Sequence, residues 1–138
     1  MKLLDISQIQ MMNALDAIAK VSARDCFVEG DSVVFLIPEK DMNRAIGKSG
    51  STVELLKKRI GKRVELFEYT EQPEKFFERA FFKAKIVKVE IKDMKDSKIA
   101  IVSVDATNKK IILQNMRRLK RVKELAKRNY GIEEVRIR

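Results

Sequence analysis

Apolar positions along the chain change period several times, and each change marks an element. Leu4, Met11, Leu15 and Ile18 recur at helical spacing, which predicts an amphipathic helix running to about Val21, opened by a capping box of Asp5 and Gln8. Cys26 to Glu29 and the β-branched run Val33 to Ile37 flank Gly30-Asp31, the signature of a hairpin. After Pro38, residues 40–46 suit a short helix. A second helix is predicted from Ser51, because Val53, Leu56 and Ile60 return at intervals of three and four. Gly61 ends it and Val64 to Phe67 reads as a strand, so the order is helix, strand, strand, helix, helix, strand.

The same order then repeats. Tyr69-Thr70-Glu71-Gln72-Pro73 is the expected junction, with Pro73 in the first turn of the next helix, and this divides the chain into 1–70 and 71–138. Phe76, Phe77, Ala80 and Phe81 follow at helical spacing, which assigns them to a core or a module interface rather than to a base-stacking surface. Val87, Val89 and Ile91 alternate with Lys88, Glu90 and Lys92 as in a half-buried strand. A polar turn from Asp93 to Ser97 leads to a strand over Lys98 to Val104. Gly131 suits a helix C-cap, and Ile132, Val135 and Ile137 form the closing strand. A shift of 66 positions lays Ala45-Ile46 on Ile111-Ile112, Val53 on Leu119 and Leu56 on Val122.

Composition narrows the chemistry. The chain has no histidine, which removes the commonest general base and metal ligand; no catalytic residue, metal or cofactor is expected, and the chain is not expected to be an enzyme. Glu133-Glu134 and the pair Asp93 and Asp96 fall at a strand end and in a turn, where solvation accounts for them. The single cysteine, Cys26, has no internal disulfide partner and reads as a small buried hydrophobe. No apolar stretch is long enough to span a bilayer, and Asp5 interrupts the N-terminal apolar run where a signal peptide would be continuous. A cytoplasmic protein without membrane attachment is expected.

The distinctive chemistry lies in Ala45-Ile46-Gly47-Lys48-Ser49-Gly50, between a strand and a helix start. Two residues without a Cβ let the backbone turn tightly and approach a sugar-phosphate chain, while the following helix start faces its N–H groups and positive dipole end the same way. Lys48 adds a full charge between the glycines, Ser49 supplies a hydroxyl donor, and Ile46 offers an apolar groove floor under bases. This is the arrangement of a KH module, whose GXXG loop holds about four nucleotides of single-stranded nucleic acid by their backbone. A nucleotide-binding P-loop is excluded, since it needs a glycine five residues before Gly47 and Met42 stands there.

The net charge of +10 is consistent with a polyanionic partner. Around the loop, Arg44, Lys48, Lys57, Lys58, Arg59, Lys62 and Arg63 face one acid, Glu54, which predicts a phosphate-binding surface. In the second half the position of the glycine loop falls on Leu113-Gln114-Asn115-Met116, so both glycines are missing and the clamp should be weakened or lost. Residues 106–128 nevertheless carry nine basic residues, Lys109, Lys110, Arg117 and Arg118 among them, against Glu124 alone. That segment is equally suited to drawing in RNA without holding its register and to docking on an acidic protein surface.

Asp25-Cys26-x-Val28, the Gly30-Asp31 turn, Val33 to Ile37, Asp41-Met42-x-x-Ala45-Ile46-Gly47-Lys48-x-Gly50 and Gly61-Lys62-x-Val64-Glu65 together resemble the archaeal NusA family. The resemblance implies an α/β (α+β) protein of two tandem KH domains of the bacterial type, type II, each a three-stranded sheet covered by helices. It also implies binding of single-stranded RNA linked to transcription elongation, pausing or termination, with RNA polymerase as a possible partner. The family usually carries a second glycine loop, from which this chain departs at 113–116. Two other readings stand beside it: a KH fold that docks on polymerase or another protein, and a ribosome-associated KH protein sharing the first loop. A monomer is expected, because both apolar sets have an internal use.

Overall fold

The computed structural model describes residues 5–81 and 83–138. Leu4, the first position of the predicted stripe, lies outside the described residues. Helix α1 spans Ile6–Ala19 and starts on its capping box. The Asp5 carboxylate accepts from the Gln8 N–H at 2.8 Å, and the Gln8 side chain accepts from the Asp5 N–H at 2.9 Å, satisfying two donors that a helix start would leave unpaired. The amide of the same Gln8 donates to the Cys26 carbonyl in a buried bond, tying α1 to the first strand. The helix stops short of Val21 because Lys20 adopts a left-handed conformation, φ 57°. Leu15 is fully buried, with Met11 and Ile18 packed at the edge of the same core.

Strand β1 (Asp25–Glu29) runs antiparallel to β2 (Ser32–Pro38), and β2 runs parallel to β3 (Arg63–Tyr69), giving a sheet ordered β1-β2-β3. Val33 through Ile37 are buried without exception, which explains why β2 reads as a continuous apolar run instead of an alternating one. Val33, Phe35 and Ile37 meet Leu15, Ala45 and Leu56 in one core cluster under the helices. The predicted helix over 40–46 divides into a 3₁₀ turn, Glu39–Asp41, and α2, Met42–Ile46. Helix α3 spans Ser51–Ile60 and closes on Gly61, φ 74°, a left-handed cap that costs glycine nothing.

The chain forms two compact units, Met1–Tyr69 and Thr70–Arg138, with the same element order in each. The second holds α4 (Pro73–Ala80), β4 (Lys88–Asp93), β5 (Lys98–Ser103), α5 (Ala106–Gln114), α6 (Met116–Tyr130) and β6 (Ile132–Ile137). Its sheet is ordered β4-β5-β6, antiparallel then parallel, as in the first unit. Pro73 occupies the first turn of α4, and Phe76, Phe77, Ala80 and Phe81 are buried as their spacing predicts. The Tyr130 hydroxyl donates to the Thr70 carbonyl at 2.6 Å and its ring lies 5.2 Å from Phe76, anchoring residue 70 to this unit. Val87, expected at the start of the inward-facing set, precedes β4 and is 72 % exposed, and within the strand Val89, Glu90 and Ile91 are all half-buried, so the expected alternation is not seen. Helix α6 has 15 residues where α3 has 10, and α5 has nine where α2 has five. No helix among the described residues is long and apolar enough to cross a membrane.

Candidate nucleic-acid interface

The loop between α2 and α3 is built from three departures from ordinary backbone within four residues. Gly47 sits at φ 78°, ψ 169°, a region only glycine enters readily; Ser49 is left-handed at φ 55°, and Gly50 at φ 77°. The turn is closed from within: the Gly47 N–H donates to the Asn43 carbonyl at 2.9 Å and the Gly50 N–H to the Gly47 carbonyl at 3.1 Å. Gly50 then serves as the N-cap of α3 and has no side chain to cap with, so no side-chain acceptor covers the first turn of that helix.

The two glycines serve different purposes. A Cβ on Gly47 would lie 2.6 Å from the backbone nitrogen of Thr52 and 2.7 Å from its Cβ, so the residue is required by close packing of the loop on its own helix. At Gly50 the nearest atom to a Cβ would be Val53 Cγ1 at 3.8 Å, an ordinary contact, so only the positive φ demands glycine there. Sequence reasoning assigned both glycines to the approach of a ligand and missed Thr52, whose place behind Gly47 depends on how α3 folds back.

Lys48 and Ser49 are exposed at the tip, and Ile46 is 37 % exposed beside them while its neighbour Ala45 is fully buried. The surrounding cations are less available than their number suggests. The Arg44 guanidinium donates to the Lys20 carbonyl at 3.2 Å and lies 3.9 Å from Asp41. Lys57 pairs with Glu54 at 3.1 Å, Lys62 donates to the Gly30 carbonyl at 3.4 Å, and Arg63 lies 3.8 Å from Asp31. These contacts are solvent-exposed and weak, so a phosphate can compete for the same side chains. Lys48, Lys58 and Arg59 have no ion pair or side-chain hydrogen bond among the described residues.

In the second unit, residues 113–116 form no loop of that kind. Leu113 and Gln114 complete α5, and Asn115 breaks the helix at φ −109°, ψ 71°, its side chain accepting from the Arg118 N–H at 3.3 Å to start α6. Leu113 and Met116 stand 42 % and 60 % exposed at the positions where the first unit has bare glycine. Lys110 and Arg117 are exposed, and Lys109 is half-buried. Arg118 turns inward instead: its Nε donates to the Ala80 carbonyl at 2.6 Å, and burial pushes its pKa below the usual arginine value. Arg121 is buried as well, which removes it from the cationic face. A signal for this was present, because Arg118, Arg121 and Leu125 follow one another at intervals of three and four.

Asp105 caps α5 through the Asn108 N–H at 2.8 Å, and this backbone hydrogen bond, with one from the Asn108 side chain, holds its carboxyl below the usual carboxylate range.

The chain is similar in sequence and fold to known proteins. Residues 13–71, which contain the glycine loop, match the family model described as KH domain. A protein of Methanocaldococcus jannaschii described as probable transcription termination protein NusA is 24 % identical over 135 residues, covering 97 % of this chain and 74 % of that one. A protein of Halococcus morrhuae with the same description is 32 % identical over 117 residues, 84 % of each chain. The crystal structure of APE1850 superposes with a TM-score of 0.87 at 25 % identity, covering 98 % of this chain and all of the other. Identity of 32 % across most of both partners, with a KH match spanning the glycine loop, places the chain: it belongs to the archaeal NusA family of KH-domain proteins.

Proposed function

We propose that the first unit, Met1–Tyr69, is a type II KH domain that grips single-stranded RNA by its backbone, and that the second, Thr70–Arg138, is a KH domain that has lost the grip. The observation that carries this reading is the Gly47–Gly50 turn, which presents an exposed Lys48 and a helix start without a side-chain cap on one tip. Lys48 meets a phosphate directly, Ser49 donates its hydroxyl, and the N-terminal turn of α3 adds its dipole. Gly50 brings bare backbone to the sugar-phosphate chain, Ile46 forms the floor under a base, and Arg44 and Lys57 exchange their weak internal contacts for phosphate. Lys109, Lys110 and Arg117 belong to a surface that adds long-range attraction without register, while Arg118, held on the Ala80 carbonyl, stands back from it.

In this reading the protein is a monomeric, cytoplasmic, non-enzymatic factor. It acts on nascent RNA during transcription elongation or termination. The missing second loop and the basic face of α6 favour a further contact, in which that face docks on RNA polymerase. Fluorescence anisotropy with a short labelled single-stranded RNA tests the grip. Lys48→Asp/Ser49→Asp keeps both glycines and reverses the charge at the tip; affinity should fall at least about tenfold, roughly 1.4 kcal/mol, with circular dichroism unchanged. Unchanged affinity in a folded variant would refute the loop as the RNA site.

A further inference from the structure

Helix α1 is uncharged on its exposed side as well as its buried one. Leu15 and Ala19 are buried against the core, while Ile6, Ile9, Gln10, Asn13 and Ala17 fall on the opposite side at helical spacing and are all exposed, Ile6 at 75 % and Ile9 at 45 %. Of the 14 residues of α1 one is charged, Asp16, in a chain that is 36 % charged. Water ordinarily meets a charged or polar helix face, and a helix that is apolar round most of its circumference is covered. Beside this stripe α1 and α3 leave an open groove of about 450 Å³. Met11, Ala14 and Ile60 are half-buried along it, and Arg59 stands exposed at its rim.

Three features select the occupant. The stripe carries no cation, so it has nothing to hold a nucleic-acid backbone. The helix is 14 residues long, about 21 Å, and the small side chains of Ala14 and Ala17 let a second helix pack closely alongside it. The net charge of +10, with Arg59 at the rim, attracts an acidic partner and repels another copy of the same chain. We infer that the α1–α3 groove of the first unit docks an amphipathic helix of a partner protein, its apolar side against the stripe and the groove and a carboxylate against Arg59. The mode is that of a helix laid in a groove, with anchors spaced three and four residues apart. The contact uses none of the residues of the Gly47–Gly50 loop, so it stands or falls apart from RNA binding.

Methyl-resolved NMR of the full chain, labelled at methionine, alanine and isoleucine methyls, tests the groove with synthetic helical peptides: one of leucine, alanine and glutamate with its leucines on one face, a scramble of it, and one with lysine in place of glutamate. Saturable shifts at Met11, Ala14 and Ile60 are expected with the first. The scramble should bind about tenfold more weakly, the size of one buried leucine, and the lysine peptide about threefold more weakly, the size of an exposed ion pair. In Arg59→Glu the preference between glutamate and lysine should reverse. Silence with the first peptide, equal shifts with the scramble, or an unchanged glutamate preference in Arg59→Glu would each overturn the inference. So would larger shifts with single-stranded RNA than with any peptide, or shifts that grow with protein concentration alone, which would put a nucleic acid or a second copy of the chain in the groove.

Discussion

The first and second units fold the same element order into sheets of the same topology, yet they make opposite use of the corner between their paired helices. In the first, α2 has five residues and ends in a strained turn held by glycines; in the second, α5 runs to nine residues and Asn115 breaks it with an ordinary polar cap. Left-handed backbone at Ser49 and the Gly47 conformation cost free energy that the second unit does not spend. What the first unit gains is a tight turn that places the Lys48 and Ser49 side chains at an exposed tip beside the start of α3. The difference teaches that strain at the first corner goes with an exposed tip, and that without glycine the same architecture forms a corner with Leu113 and Met116 projecting from it.

Substitution within the loop should break the comparison most severely. Gly47→Ala drives a Cβ into the backbone of Thr52 and forces a glycine conformation on alanine, so urea denaturation should show a loss of about 3 kcal/mol. Gly50→Ala meets only the conformational penalty, about 1.5 kcal/mol, and the same assay should rank the two in that order. Equal losses would contradict the assignment of Gly47 to packing against Thr52.

Making the second corner resemble the first should have a smaller effect. Leu113→Gly/Met116→Gly should cost about 1 kcal/mol by weakening the helix ends, with RNA affinity by anisotropy unchanged within about twofold, because α5 and its Asn115 cap still set the backbone path. A large gain in affinity would show that the glycines alone make a clamp.

The smallest predicted contrast is in acid. Asp105 and Glu134, both in the second unit, have carboxyl pKa values lowered by hydrogen bonds, from the Asn108 backbone for Asp105 and from the Arg136 side chain for Glu134. A depressed folded value means the stabilisation is present above the unfolded carboxylate pKa and is lost as pH falls through the folded value. Both groups are exposed, so the effect is slight. As pH falls below about 4, methyl signals of Ile112 and Val135 should lose dispersion slightly before those of Val33 and Leu56. The opposite order would place the acid-sensitive groups in the first unit.

Much of the fold was legible because its signals are local. The Asp5–Gln8 capping box, the Gly30-Asp31 turn between apolar runs, Pro73 in a first turn and Gly61 and Gly131 at helix ends each depend on residues within a few positions. The Gly47–Gly50 loop was legible for the same reason. What was not legible depends on residues brought together by folding. The place of Thr52 behind Gly47 needs α3 folded back on the loop. The split of residues 39–46 into a 3₁₀ turn and a short helix leaves no mark in the spacing. Counting charge over 106–128 overstated the cationic face, because Arg118 and Arg121 turn inward with Leu125. The groove beside α1 draws on α1 and α3, which sequence separates by about thirty positions of chain.

The central claim is that one unit grips RNA and the other attracts it. Two charge-reversing variants compared on the same labelled single-stranded RNA test it most directly: Lys48→Asp/Ser49→Asp at the first corner and Lys110→Asp/Arg117→Asp at the second. The account predicts an affinity loss of about tenfold or more for the first variant and about threefold for the second. In addition, the first variant should retain a residual binding that falls steeply with salt, as expected of unregistered phosphate attraction. Equal losses, or a larger loss at the second corner, would contradict the division of labour between the two units.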